Sequence, residues 1–233
     1  MKRLSNGTLA TILIVALIVA DQLSKFWVKT HFFYGETMDV TSWFKIVFIE
    51  NNGMAFGWEL GSKMVLTWFR IIAVAAFCYY LWKIRRRTDL PRGFVVCVAL
   101  ITAGALGNVI DCIAYGLIYN APMPPEVAQL FPPNGGYGSI FQGKVVDMLY
   151  FPLCEWNWPD WMPGIGGEHF IFFQPIFNVA DAALSVSVIV LILFYSKHLV
   201  ADKKKDDEEN EEDVKDAEGT SAEAEHQQSA DKK

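Results

Sequence analysis

The sequence predicts a mainly α membrane protein: four transmembrane helices with both termini cytoplasmic, a small extracytoplasmic β-sheet element and a long extracytoplasmic loop. Three observations lead there. Hydrophobic residues make up 52% and aromatics 14% of 233 residues, too apolar for an ordinary soluble domain and too short for many membrane passes. Four apolar runs each approach the roughly 20 helical residues that a bilayer requires. Basic residues collect before the first run, between the second and third, and after the fourth.

The spans run about Leu9 to Val28, Met64 to Trp82, Gly93 to Tyr115 and Phe177 to Val200. Lys2 and Arg3 precede the first, Lys83, Arg85, Arg86, Arg87 and Arg92 fill the second link, and Lys197 with Lys203 to Lys205 follow the fourth. By the positive-inside rule all three groups are cytoplasmic, so the connections from about Lys29 to Lys63 and from Gly116 to Ile176 face the other side. A cleaved signal peptide is the competing reading of the first run. Against it, the run continues past Asp21 to Phe26, Trp27 and Val28, with no small-x-small pattern closing it cleanly. Residues 1–200 thus read as one four-helix integral membrane domain. The net charge of -6 belongs to the rest: Asp202 to Lys233 hold 13 acidic and 6 basic residues, leaving a net of +1 elsewhere. With almost no large apolar residue, 201–233 reads as a disordered, acidic cytoplasmic tail.

Against this apolar background the acids stand out. An ionised carboxylate in hydrocarbon is costly, so an intramembrane acid is a functional hypothesis by default. Asp21 lies within the first span, roughly 18 Å from its cytoplasmic end at ~1.5 Å per residue. Asp111 ends the third span, Asp181 sits one turn into the fourth, and Asp147 lies in the outer connection within Val145-Val146-Asp147-Met148-Leu149. All four fall at the same outer boundary. Asn108 and Asn178 each precede an acid by three residues and share its helix face. Asn178 also suits a helix N-cap, and the small residues of Gly104-Ala105-Leu106-Gly107 suit close helix packing. In the first outer connection, Val40 to Ile49 reads as a strand. Glu50-Asn51-Asn52-Gly53 after it reads, taken alone, as a hairpin turn on the membrane surface.

Together these motifs resemble the bacterial lipoprotein signal peptidases (signal peptidase II), aspartyl proteases of the cytoplasmic membrane. The matching stretches, in family order, are Asp21-Gln22-Leu23-Ser24-Lys25, Asn51-Asn52-Gly53-Met54-Ala55-Phe56-Gly57, Gly104 to Asp111, Val145-Val146-Asp147-Met148 and Phe177-Asn178-Val179-Ala180-Asp181. The resemblance implies a catalytic pair, Asp147 and Asp181, sharing one proton because two close carboxylates cannot both ionise. Water then attacks directly, with no metal or organic cofactor. It also implies that Asn51 and Gly53 position the substrate backbone and that Asn108 and Asn178 hold the catalytic carboxylates. Asp21, Lys25 and Asp111 support the site through ion pairs, Lys25 being one helical turn after Asp21. The implied substrate is a prolipoprotein whose cysteine already carries a diacylglyceryl group, cleaved just before that cysteine. The other expected partners are membrane lipids, not nucleic acid. The chain is expected to act as a monomer in the bacterial inner membrane, with its site at the periplasmic face.

Rival protease chemistries lack their residues. No His-Glu-x-x-His is present, and Cys78, Cys97, Cys112 and Cys154 show no metal-ligand spacing. Ser24 and Lys25 are helix neighbours and point in different directions. Two other classes of function remain: a proton-coupled transporter, which needs polar groups that the inner halves of the spans lack, and a non-catalytic lipid-binding protein, which tolerates loss of Asp147 or Asp181.

The chain departs from the family pattern twice. Many members carry Arg directly after the acid at Asp111, where this chain has Cys112; Arg70 either compensates or snorkels to the headgroups, the latter being the preferred reading. The outer region between Asp111 and Asp181 is also longer than in compact members. Its Trp156, Trp158 and Trp161 suit a membrane interface, so the stretch from Trp156 to Gly167 reads either as a lid or as a passive interfacial loop.

Overall fold

A computed structural model describes residues 4–52, 63–87 and 89–198. Gly53, the rest of its motif to Gly57, the end of the fourth expected span and the acidic tail lie outside them. The chain divides into the units Met1–Val188 and Ile189–Lys233; the contacts below all lie in the first.

Four helices are long and apolar enough to cross a membrane: α1 (Asn6–His31), α2 (Lys63–Ile84), α3 (Arg92–Ile118) and α4 (Val179–His198). Each matches an expected span to within a few residues at its described ends. The Ser5 hydroxyl starts α1 by accepting the Thr8 backbone N–H at 3.1 Å. The helix then runs past its expected end at Val28, because Lys29, which would be costly to bury alone, pairs with Glu50. Its faces are inverted relative to a soluble helix. Ile12, Val15, Val19 and Leu23 are exposed, whereas Asp21, Lys25 and Lys29, each four residues apart, form a buried column. Only a hydrocarbon solvent makes that arrangement favourable.

α3 is the central span: 61% of its apolar window is buried, against 11% for α1 and 17% for α2. Both of those helices pack on it. Gly104 gives α4 its close approach, since a Cβ there would collide with the Ala180 carbonyl oxygen and stand 3.0 Å from Leu184 Cβ. Near its end α3 widens into a π turn, Asp111–Tyr115. Such turns gather at functional sites. Here the Gly143 N–H donates to the Cys112 carbonyl at 2.8 Å, docking the outer connection on the widened turn.

The expected β element is a four-stranded antiparallel sheet of β1 (Thr37–Asp39), β2 (Lys45–Asn51), β3 (Val145–Tyr150) and β6 (Ile176–Phe177), in the order β1-β2-β3-β6. Of the single strand expected over Val40 to Ile49, the part from Lys45 onward is strand, and residues 40–44 are the turn that joins it to β1. The segment's β-branched and aromatic residues suit strands, but at Val40 and Thr41 both backbone N–H groups turn back to the Phe44 carbonyl, and β2 then runs on through Glu50 and Asn51. β2 and β3 pair Ile49 with Asp147, Glu50 with Val146 and Asn51 with Val145, beyond a bulge between Ile46 and Ile49. Phe48, Val146 and Met148 pack with Val28, Phe32, Tyr115 and Tyr119 in the core beneath the sheet. Side chains alternate along a strand, so Asp147, between Val146 and Met148, faces the other way.

The long outer connection has structure of its own. β4 (Cys154–Asn157) and β5 (His169–Phe172) form a separate antiparallel hairpin. Trp156 packs there against Phe170 and Trp158, with ring centroids 4.6 and 5.5 Å away.

Candidate active site

Four elements bring carboxylates to one end of the spans. Asp21 comes from α1, Asp111 from the π turn of α3, Asp147 from β3 and Asp181 from the first turn of α4. Asp21 and Asp111 are fully buried, Asp147 is 4% exposed, and Asp181 is partly buried. The cost of burying such charges is met by one ammonium. Lys25 Nζ, itself fully buried, donates to Asp21 at 2.8 Å, to Asp111 at 2.7 Å and to Asn108 Oδ1 at 2.9 Å. An ammonium has three N–H groups, and all three are used.

Lys25 also fixes the orientation of everything beyond it. Because it can only donate, Asn108 must present Oδ1 to it, which turns Asn108 Nδ2 toward Asp181 Oδ1 at 2.7 Å. Asn178 is constrained in the same way. Its Oδ1 accepts the Asp181 backbone N–H at 2.9 Å, capping α4, so its Nδ2 faces Asp147 Oδ1 at 2.8 Å, Asn108 Oδ1 at 3.1 Å and the Val146 carbonyl at 3.2 Å. Asp147 and Asp181 are therefore joined through two amides whose donor and acceptor ends are both determined. Asn51, at the end of β2, hydrogen-bonds the Asp147 carboxyl.

Asp147 holds its proton unusually well. Burial, and next the charge of Asp181, push its carboxyl up to about 7, outweighing the hydrogen bonds from Asn51 and Asn178 and the attraction of Lys25. Of the two carboxyls, Asp147 is thus the one whose surroundings favour keeping a proton near neutral pH. One neutral and one ionised carboxylate can act together as acid and base on a water between them.

The structure brings Asp21, Lys25, Asn51, Asn108, Asp111, Asp147, Asn178 and Asp181 into this network; Gly53 lies outside the described residues. Sequence reasoning missed three members. Gln22 follows Asp21 and so starts from a different face, yet its amide donates to Asp111 at 2.9 Å and accepts the Tyr115 hydroxyl at 3.1 Å. The Ala180 backbone N–H, which no side-chain pattern reveals, donates to Asp21 Oδ1 at 3.0 Å. Gly107 leaves room for it all: a Cβ there would stand 2.7 Å from Asp21 Oδ2. Arg70 corrects an expectation. Instead of snorkelling, it turns inward and donates from Nη1 to Cys112 Sγ at 3.2 Å. Arg70 lies two turns into α2 beside the π turn, which brings the Cys112 sulfur within its reach.

Comparison with known proteins identifies the family. The family model Peptidase_A8, signal peptidase (SPase) II, matches residues 13–197. A lipoprotein signal peptidase of Porphyromonas gingivalis is 47% identical over 207 residues, 88% of this chain and 91% of that protein. One of Amoebophilus asiaticus is 35% identical over 183 residues, 76% of this chain and 72% of that protein. Among solved structures, a bacterial membrane enzyme determined by the in meso method at 2.3 Å resolution superposes with a TM-score of 0.53 at 24% identity, covering 85% of this chain and 91% of that one, and so shares its fold. On the length of these matches and the identity of these relatives, the chain belongs to the signal peptidase II family, the lipoprotein signal peptidases.

Proposed function

We propose that this chain is an aspartic endopeptidase of the bacterial inner membrane that removes the signal peptide from diacylglyceryl-modified prolipoproteins, cutting just before the lipidated cysteine. The observation that carries this reading is the pair Asp147 and Asp181, joined through Asn178 and Asn108 at one end of four apolar spans. Both termini are cytoplasmic and the pair faces the periplasm, the orientation that the basic residues favour. The signal helix and acyl chains anchor the substrate at that depth. One chain supplies both carboxylates, so a monomer suffices.

In the reaction Asp181, steered by Asn108, takes a proton from water as its oxygen attacks the scissile carbonyl carbon. Asp147 gives its proton to the carbonyl oxygen, forming a gem-diol. Asp181 then passes its proton to the peptide nitrogen while Asp147 takes one back from a gem-diol hydroxyl, so the C–N bond breaks, releasing the signal peptide with a new carboxyl group, leaving a free amine on the lipidated cysteine and restoring the pair. Gln22, Lys25, Asp21 and Asp111 touch no reacting atom; they hold those that do.

The test is purified protein with a diacylglyceryl-modified prolipoprotein, the product read by mass. Release of a fragment beginning at the modified cysteine is expected, and cleavage elsewhere or none would overturn the proposal. The pH profile follows from Asp147. Its neutral form is the proton donor, so kcat/KM is expected to fall as pH rises through about 7, with the pair titrating as a unit. A flat profile from about pH 6 to about pH 9 would remove Asp147 as the acid. Arg70 supplies a cation beside Cys112. Arg70→Gln is expected to lower kcat/KM about tenfold without loss of fold, the loss of one charge-assisted hydrogen bond.

A further inference from the structure

On the sheet face opposite Asp147 lies a second group of charges that the mechanism does not use. Lys29 ends the buried column of α1 and is 1% exposed, yet it stands over the rings of Tyr119, Phe48 and Tyr137 at 5.1, 5.4 and 5.4 Å. It pairs with one oxygen of Glu50, and Lys144 pairs with the other at 2.9 Å. Burial alone would raise the Glu50 carboxyl, but these two ammoniums hold it below its ordinary value. Lys63 joins them from α2, donating to Asn52 Oδ1 at 3.3 Å and to the Gln142 carbonyl at 2.7 Å. Two ammoniums therefore hold one buried carboxylate, with Lys63 near enough to feel its charge. Lys29 and Lys144 each give one N–H to that carboxylate and keep donor capacity for another acceptor.

Lys29, Glu50 and Lys144 line a cavity of about 260 Å³, walled by Asn52, Asn120 and the loop at Pro122 to Pro124. Glu126, the other acid of the lining, is exposed at the rim, where water screens it. The interior is positive and rich in N–H donors, so its complement is a carboxylate-sized anion.

Chain geometry says what can deliver that anion. Glu50 adjoins Asn51, which bonds Asp147, and Lys144 lies three residues before Asp147. An extended polypeptide advances ~3.3 Å per residue, so two to five residues beyond the cut reach ~7–17 Å, enough to round the end of a sheet. The signal helix cannot place acids there, because it lies in hydrocarbon. The segment that follows the cysteine can.

We infer that this cavity binds acidic side chains of the substrate polypeptide on the carboxyl side of the scissile bond, giving the enzyme a preference for prolipoproteins whose mature segment opens with Asp or Glu. The inference rests on the peptidase reading above, and its test separates the two. Two lipidated peptides are made that differ only in Asp or Asn at about the second to fifth positions after the cysteine. Affinity is measured on full-length Asp181→Asn protein in phosphatidylcholine vesicles, so the binding result stands whatever the parent cleaves. The Asp peptide is expected to bind about tenfold tighter, with the difference shrinking at high salt. Lys144→Gln is expected to reduce that ratio, and Lys144→Glu to invert it, which a purely structural lysine would not do. Equal affinity for the two peptides, or a preference unchanged in Lys144→Glu, overturns the inference. So does retention of phosphatidylglycerol by Asp181→Asn protein but not by its Lys144→Glu derivative, with loss of the peptide preference in phosphatidylglycerol vesicles, since the anion is then a headgroup phosphate. Failure of the parent to cleave either peptide counts against the peptidase reading, while the affinity ratio still decides the cavity.

Discussion

Asp181→Asn is expected to lower kcat on a lipidated prolipoprotein by at least ~10³-fold, with the protein still folded, and Asp147→Asn to do the same. The size follows from the roles. Removing the base leaves water unactivated, and removing the acid leaves the gem-diol oxygen without its proton. Neither change disrupts packing, because an amide has the volume of a carboxyl group and can still accept from Asn108 at position 181, or from Asn178 and Asn51 at position 147. Rates from single-turnover assays, with thermal unfolding in detergent as the control for fold, check this. Substantial cleavage by either folded variant would sink the pair as the source of catalysis.

Lys25→Met is expected to have the largest effect on stability, about 3–5 kcal/mol, the usual cost of removing one partner from a buried ion pair. Asp21 and Asp111 would then face each other with no cation between them. Asn108 would lose the donor that fixes its amide, so any protein that folds should also lose activity. Lys25→Arg is not expected to rescue it, because a planar guanidinium does not fit three acceptors gathered around a point charge. Adding Asp21→Asn to Lys25→Met should recover part of the stability, and a double-mutant cycle by denaturation measures how much. Full additivity would mean that the two side chains do not interact.

The acids and their asparagines were legible in the sequence because charge in an apolar run is costly and therefore informative. Asp21, Asp111 and Asp181 stand out for that reason, and one turn of helix ties Asn108 and Asn178 to their partners. What escaped depends on reach and on backbone. Gln22 crosses to Asp111 on a long side chain from a position that faces elsewhere, and Ala180 contributes only its N–H. The π turn at Asp111 leaves no mark on an apolar pattern that continues through it. Lys29 read as the end of a span because its neutralising partner, Glu50, is 21 residues away on a strand. The strand expected from Val40 to Ile49 had the right composition, but composition does not show where a chain reverses. Arg70 escapes for a related reason: the sequence does not show that its guanidinium reaches the Cys112 sulfur, 42 residues away.

Asn178 both starts α4 and holds Asp147, using opposite ends of one amide. Helix docking and chemical competence are therefore a single event. A chain whose last span has not settled against β3 leaves Asp147 without its Asn178 partner, so a half-inserted copy is expected to be proteolytically silent.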